Sequence, residues 1–321
     1  MGMIVRLGYV AMSLELQNAS PSQTMTYKQF SSIKDRAAAL RKLERIATSN
    51  LHNCLRLLKH NALHSIEFFR FSSKLIPLAN HPDTKGWRYM SALKEPLNEI
   101  KEYLQQHPTM RVDFHPDHFV LLNSTDKDIM KNSLLTLQMH RQLLEGMGID
   151  PTHRCVLHVG GGYDDKEKAL EQFIHNWGFV PTNLQEMIIL ENDDTVFTLS
   201  ETLYLCEKLG VPCVFDYHHH LANKEEDWTE HWDRVVNSWS KSPLPVKIHI
   251  SSPRSPSEFR AHAEYVDVSM FFDFLDRIKD QTARVDCMIE AKGKDLALFQ
   301  LIEDIKETRN VSWISQASFE Y

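Results

Sequence analysis

Glycine is scarce in this chain of 321 residues. Its 11 positions are about half the ~7% usual in globular proteins, which excludes a collagen-like repeat and glycine-rich linkers. Cysteine is sparse and scattered, at Cys54, Cys155, Cys206, Cys213 and Cys287. An odd count with no CxxC pair excludes a disulfide framework or a zinc ribbon and fits a reducing cytoplasm. No apolar run approaches ~18 residues, so no membrane span is expected. The first ten residues lack the apolar stretch of a secretory signal. Positive charge is not in excess either: 36 Lys and Arg stand against 43 Asp and Glu, a formal net charge of −7. That excludes a surface that coats nucleic acid throughout, but not a local basic groove.

Histidine is what the chain has in abundance, with 17 residues against 13 prolines. The apolar segments set a frame for them. Short runs at 4–10, 65–71, 110–115, 155–159, 187–191, 213–217, 246–250 and 287–290 read as strands. Amphipathic stretches at 33–60, 91–105, 126–147, 165–177, 198–209, 228–239, 268–279 and 295–308 read as helices. Strict alternation means βαβ units, and eight of them predict an α/β fold, a single (β/α)8 TIM barrel over residues 1–321. A doubly wound sheet is disfavoured because Gly8-Tyr9-Val10 is followed by no GxGxxG turn, and no nucleotide cofactor is expected. Trp228, Trp232, Val235, Val236 and Trp239 fall at helical spacing and read as core, not as a base-stacking platform. The polar loop 13–30 and the proline-bearing stretch 251–257 belong on the C-terminal face of the barrel. Residues 310–321 receive no role.

Six successive strands, the third to the eighth, end in metal ligands or acid–base groups. Strand three runs into His115, strand four carries His158, strand five ends at Glu191 and strand six at Asp216. Lys247 and His249 lie on strand seven, and Glu290 ends strand eight. His81 follows strand two, and His262 lies in the loop after strand seven. After Asp216 comes His218-His219-His220, among which alternation does not choose. Counting one of the three gives nine candidate ligands, converging at the C-terminal ends of the strands. Imidazoles and carboxylates without thiolate suit manganese, zinc or iron. Nine groups exceed the four to six that one ion takes and suit two or three divalent ions. Clustered ions of this kind activate water and steady the leaving oxygen in phosphodiester cleavage. A second reading keeps the barrel and the ions but acts on sugars as an isomerase; a third is a metal-stabilised binding module without activity.

The chain carries in order Arg6-Leu7-Gly8-Tyr9-Val10, Asn18-Ala19-Ser20-Pro21-Ser22, Thr24-Met25-Thr26, Phe69-Arg70-Phe71-Ser72-Ser73, His115-Pro116-Asp117, His158-Val159-Gly160-Gly161, Phe215-Asp216-Tyr217-His218-His219, His249-Ile250-Ser251-Ser252 and Ala261-His262-Ala263. This ordered set resembles the UV DNA damage endonuclease family. The resemblance implies a TIM barrel related to endonuclease IV that nicks damaged duplex DNA 5′ to cyclobutane dimers, 6-4 photoproducts and often abasic sites. It implies up to three divalent ions, typically manganese, on His81, His115, His158, Glu191, Asp216, His219, His249, His262 and Glu290; the ligand count suits two to three, manganese before zinc, and Glu191 and Glu290 are candidates to bridge them. The choice of His219 over its neighbours rests on the family. Where members commonly carry Gln-Tyr, this chain has His118-Phe119, an aromatic wedge without its hydroxyl. Tyr9, His118 and Phe119 are the expected readers of the lesion, and Lys166 and Arg254 the expected phosphate contacts. The partner is damaged double-stranded DNA, with no membrane, and the chain is expected to act as a monomer.

Lys247 matches a family lysine beside the metals and joins Glu191 and Glu290 as a candidate catalytic group. It shares a strand face with His249 by the period of two. Beside divalent cations its ammonium would be destabilised, and a carbamate formed with carbon dioxide would be held by the same ions. The alternative is an ammonium paired with Asp216 or a DNA phosphate.

Overall fold

A computed structural model describes residues 2–223 and 227–321. Eight parallel strands form the wall: β1 Ile4–Val10, β2 Phe68–Arg70, β3 Arg111–Asp113, β4 Cys155–His158, β5 Ile188–Glu191, β6 Cys213–Asp216, β7 Val246–Ile250 and β8 Arg284–Ile289. They pair in the order β3-β2-β1-β8-β7-β6-β5-β4. Closure between β3 and β4 is made by a single bridge outside the named strands, Phe114 to Cys155. The Phe114 amide donates to Arg154 O at 2.8 Å, and its carbonyl accepts from the Val156 amide at 2.9 Å. The expected (β/α)8 barrel is therefore the observed fold.

The helices follow the predicted segments, with ends moved by local capping. Helix Arg36–Leu63 starts later than periodicity implied because the Asp35 carboxylate accepts from the amides of Ala37 and Ala38. The 91–105 segment divides into Tyr89–Ala92 and Lys94–Gln106, and the 228–239 segment into a tight turn, Trp228–His231, and a helix, Trp232–Ser238. Trp228, Trp232, Val235 and Trp239 are buried, as core residues should be. Among the described residues no helix is long and apolar enough to cross a membrane.

Alternation along β1 decides which side chains enter the barrel. Arg6 points inward, where its guanidinium holds Asp286 in a two-point bond of 2.7 and 2.6 Å. Val5, Leu7 and Tyr9 point outward and are wholly buried beneath the helices. Gly8 is required by a close approach: a Cβ there would lie 2.1 Å from the Phe68 carbonyl oxygen of β2.

Residues 310–321, given no role above, form a hairpin of β9 Ser312–Ser315 and β10 Ser318–Glu320. β2 pairs only with the upper half of β1, from Gly8 to Val10. The lower half, Ile4 to Arg6, would present an open edge on that side, and β10 covers it antiparallel. Phe319 anchors the hairpin, wholly buried opposite Val5 with its ring 5.4 Å from Trp313. Phe319→Ala should lower the urea unfolding midpoint by the equivalent of about 3–5 kcal/mol, the usual cost of a buried Phe→Ala cavity. A midpoint within ~0.5 kcal/mol of wild type would show the hairpin to be dispensable.

Candidate active site

Glu191 ends β5 with no exposed surface. Its two oxygens are shared among imidazoles from neighbouring strands. His115 Nε2 is 2.9 Å from Oε2, and His249 Nδ1 is 2.7 Å from Oε1. His158 Nε2 stands 3.7 Å from Oε2 and His219 Nδ1 3.5 Å from Oε1. His249 also reaches the second carboxylate, with Glu290 Oε1 at 3.0 Å from the same Nδ1. His262 Nδ1 donates to the Glu290 carbonyl at 2.5 Å, and its ring is 6.2 Å from that of His219. The strand register sets part of this convergence: His158 is paired with Glu191, and Asp216 is paired with His249 two residues above the Glu191 level, since Glu191 itself is paired with Val214.

The histidine triplet is resolved by a helix where the sequence implied a loop. Asp216 closes β6 and caps Tyr217–Ala222, its Oδ1 accepting from the His219 amide at 2.7 Å. Three consecutive residues on a helix point in three directions. His219 faces the cluster, with its Nδ1 3.0 Å from Asn192 O. His218 bonds Ser251 Oγ and Phe259 O, both at 2.6 Å, and His220 packs on Phe215. Asn192 holds Asp216 from both sides, donating to its carbonyl at 3.0 Å and accepting from its amide at 2.9 Å.

Several polar atoms of this buried cluster make no hydrogen bond. Asp216 Oδ2, His249 Nε2 and His158 Nδ1 are buried and unbonded. Burial drives the Asp216 carboxyl well above its usual range, and the negative Glu191 and Glu290 add to this against the pull of His219. Burial alone would do the same to Glu191 and Glu290, but the surrounding imidazoles, and Arg70 at Glu290, hold both well below the usual carboxylate range. Burial lowers His249, and lowers His115 to about 4. It would lower His219 too, but Asp216, Glu191 and Glu290 outweigh it and raise that imidazole to about 9. Groups of this kind, His115-His158-Glu191 and Glu191-Asp216-His249, could each hold a metal ion.

A family profile described as UV-endonuclease UvdE matches residues 5–321. The chain belongs to that family. It is 53% identical over 321 residues to the UV DNA damage endonuclease of Halalkalibacterium halodurans, covering 99% of both chains. Among solved structures it is similar to SacUVDE, with a TM-score of 0.82 at 29% identity over 94% of this chain and 98% of the other. Endonuclease IV from Thermus thermophilus shares the fold, with a TM-score of 0.54 at 14% identity over 94% and 99% of the chains.

Not every residue expected in this UvdE-family site lies in the cluster. His81 stands at the rim, stacked on Tyr27 at 4.2 Å and accepting at Nδ1 from the Asp83 amide at 3.1 Å. Among the described residues no bond joins it to the other eight. Tyr9 must be corrected. It is fully buried on the outer side of β1, where its hydroxyl donates to Asn61 Oδ1 at 2.7 Å, so it cannot meet DNA. Its parity differs from that of inward-facing Arg6 by one residue. His118 and Phe119 are exposed at the rim, Phe119 by 72%, with their rings 4.1 Å apart. Lys166 is paired with Glu201 at 2.8 Å and Arg254 with Glu258 at 2.9 Å. Lys247 is fully buried one layer below His249, and its partner is Asp113, at 3.1 Å, in place of Asp216 or a phosphate. Burial lowers its ammonium to about 8.

Three contributors were missed: Arg70, which bonds Glu290; Asn192, which places Asp216; and a cleft of about 440 Å³ beside the cluster, where His158, His219 and His262 meet Tyr163 and Arg260. Arg70 was legible as a cation closing an apolar strand.

The charge states fix the pH response of the metal-stripped protein. Glu191, Glu290, His115 and His249 have lowered values, so the stability they contribute grows as pH rises toward ~6.5, the ordinary histidine value. His219 is raised to about 9, so its contribution is full below ~6.5 and is lost as pH rises through about 9. Asp216 is raised and loses its contribution as pH rises above the ordinary carboxylate value, so urea midpoints of chelator-treated protein should fall between pH 6.5 and 8, and His219→Gln should flatten that fall. A wild-type midpoint still climbing from pH 6.5 to 8 would refute the raised His219.

Proposed function

We propose that this UvdE-family chain is a metal-dependent endonuclease that nicks duplex DNA on the 5′ side of cyclobutane dimers and 6-4 photoproducts, and also at abasic sites. The observation that supports it is the convergence of eight histidines and carboxylates around Glu191, with three buried polar atoms left unbonded. Those atoms fit divalent cations: a buried carboxylate oxygen and two imidazole nitrogens have lone pairs and no donor. The residues that would hold two to three ions, manganese before zinc, are His115, His158, Glu191, Asp216, His219, His249, His262 and Glu290. His81 belongs to the proposed set on condition that it leaves Asp83 and Tyr27. Sugar isomerisation has only the barrel in its favour, and the family assignment outweighs it.

Bound divalent ions supply a Lewis acid for the phosphate and lower the pKa of water. The chain's own groups do the rest. Glu191 and Glu290, kept ionised by their imidazole and guanidinium neighbours, bring negative charge to the strand ends. Asn192 fixes Asp216, and Asp216 fixes the His219 backbone. His219 keeps its Nδ1 proton on the Asn192 carbonyl, which would leave its Nε2 lone pair to hold a cation. Arg70 holds Glu290 from β2. Phe119, exposed beside His118, fills the gap that a lesion opens in the base stack, and Lys166 and Arg254 offer contacts to flanking phosphates.

Glu191→Gln removes the charge that gathers the histidines. It should lose measurable nicking of UV-irradiated duplex and most bound metal, with the circular dichroism spectrum kept. Wild-type products on end-labelled duplex should end in a 3′-hydroxyl 5′ to the lesion. Equal cutting of unirradiated DNA, or full activity in Glu191→Gln, would overturn the reading.

Stacking of an aromatic ring on a base contributes ~1–3 kcal/mol. Phe119→Ala should therefore weaken binding to irradiated duplex by roughly tenfold, with metal content unchanged. Undiminished preference for damaged over intact duplex would exclude Phe119 as the wedge.

A further inference from the structure

A second cluster of ligand atoms lies outside the barrel wall, between helices Arg36–Leu63 and Lys294–Thr308. His60 and His64 are four residues apart near the end of the first helix, so both rings stand on one face. They meet Glu15 from the loop after β1 and Asp295 from the first turn of the second helix. His60 Nε2 is 3.2 Å from Asp295 Oδ2 and 3.7 Å from Glu15 Oε2. His64 Nε2 is 4.0 Å from that Glu15 oxygen. The ligand atoms of Glu15, His60 and His64 all lie within 4.8 Å of one another.

An independent observation points to a ligand here. The His60 side chain is only 5% exposed, and its Nε2 faces two carboxylates without a hydrogen bond to either. A buried nitrogen left in this way is costly, and a shared cation would satisfy it together with both carboxylates.

We propose that Glu15, His60, His64 and Asp295 form a separate divalent metal site, with zinc as its ion. Two imidazoles and two carboxylates without thiolate are a donor set that zinc accepts. Zinc bonds of about 2.0–2.1 Å place tetrahedral ligand atoms roughly 3.4 Å apart, and the His60–Asp295, His60–Glu15 and His64–Glu15 distances bracket that spacing. Asp295 is already held in place: it accepts from Ser13 Oγ and, at 2.8 Å, from the Leu14 amide. Gln316 lies 3.3 Å from His64 Nδ1. Turned to present its oxygen, that amide accepts a hydrogen bond from Nδ1–H and leaves the Nε2 lone pair for the ion. Glu15 is half exposed and His64 about a quarter exposed, so the ion enters from solvent. The consequence is structural. The ion ties the loop after β1, which also bonds Asn50, Asn53 and Arg56, to two helices behind the barrel.

The test is a zinc count that does not depend on activity. Wild type, Glu15→Gln and His64→Gln are dialysed against micromolar zinc and measured by mass spectrometry of the metal. Both substitutions fall on partly exposed side chains, which spares the fold the risk of His60→Ala. Each variant should hold one zinc ion fewer than wild type. The same deficit should appear when Glu15→Gln is added to Glu191→Gln, which separates this site from the one at the strand ends. Equal counts in wild type and both variants, with unchanged circular dichroism, would reduce the cluster to a His60–Asp295 ion pair and overturn the proposal.

Discussion

A carboxylate without solvent is the constraint around which this barrel is arranged. Glu191 is fully buried at the end of β5, where an uncompensated charge would cost several kcal/mol. Its compensation comes from four imidazoles, none of them its neighbour in sequence: His115, His158, His219 and His249. His158 and His249 arrive because parallel pairing fixes the height of the strands that carry them, His115 follows β3, and His219 is placed by the helix that Asp216 caps. Slipping one strand by one residue would turn its ligand out of the barrel and leave Glu191 short of a partner. Register and charge compensation thus enforce each other. This explains why short strands, three or four residues in β2 to β6, suffice to hold the site.

Beneath the cluster the barrel is filled by charge where such barrels usually place branched apolar side chains. Arg6 and Arg111 share Asp286, Arg111 and Lys247 share Asp113, and Arg154 stands 3.7 Å from Asp113. Phe68 covers the layer, with the Arg111 and Lys247 cations 5.0 and 5.5 Å from its ring centre. The layer has more cations than carboxylates, and the layer above it has the opposite excess. Positive charge under Glu191 and Glu290 favours their ionised forms in a medium that screens poorly. A buried pair that loses one partner costs ~3–5 kcal/mol, so this floor tolerates substitution poorly although it touches no substrate.

The sequence showed the architecture because both periods were strong: the eight apolar runs and the eight amphipathic stretches all recur in the structure as strands and helices. It also pointed to the residues that the structure brings together, since His115, His158, Glu191, Asp216, His249 and Glu290 each end or follow a strand. The losses have physical causes. The β9–β10 hairpin was invisible because segments of three and four residues carry no readable period, and its purpose, covering the edge of β1, exists only in the assembled sheet. Tyr9 was misplaced because a motif was read without its parity; Arg6 inward already places Tyr9 outward. His219 could not be told from His218 and His220 by strand alternation because the backbone there is helical, set by a cap from Asp216. Arg70 and Asn192 were passed over because they are neither metal ligands nor general bases; what they do is hold groups that are.

A polyanionic substrate and a net charge of −7 are reconciled by where the charge lies. The cleft beside the cluster brings Asp117, Asp193 and Asp194 together with Arg260, and the cations at the mouth, Lys166 and Arg254, are already paired with glutamates. Without ions this mouth offers DNA little attraction. Two or three divalent ions at the strand ends would add about four to six positive charges at the place where the scissile phosphate must sit, and bound ions of that size govern the local field. On this reading affinity for DNA is carried by the metal content rather than by a coat of lysines. Counterion release from the surface then contributes less than in a basic nucleic-acid binder. On the proposed metal site, the acidic composition, which argued only against a surface that coats nucleic acid throughout, would be the counterpart of positive charge supplied by ions.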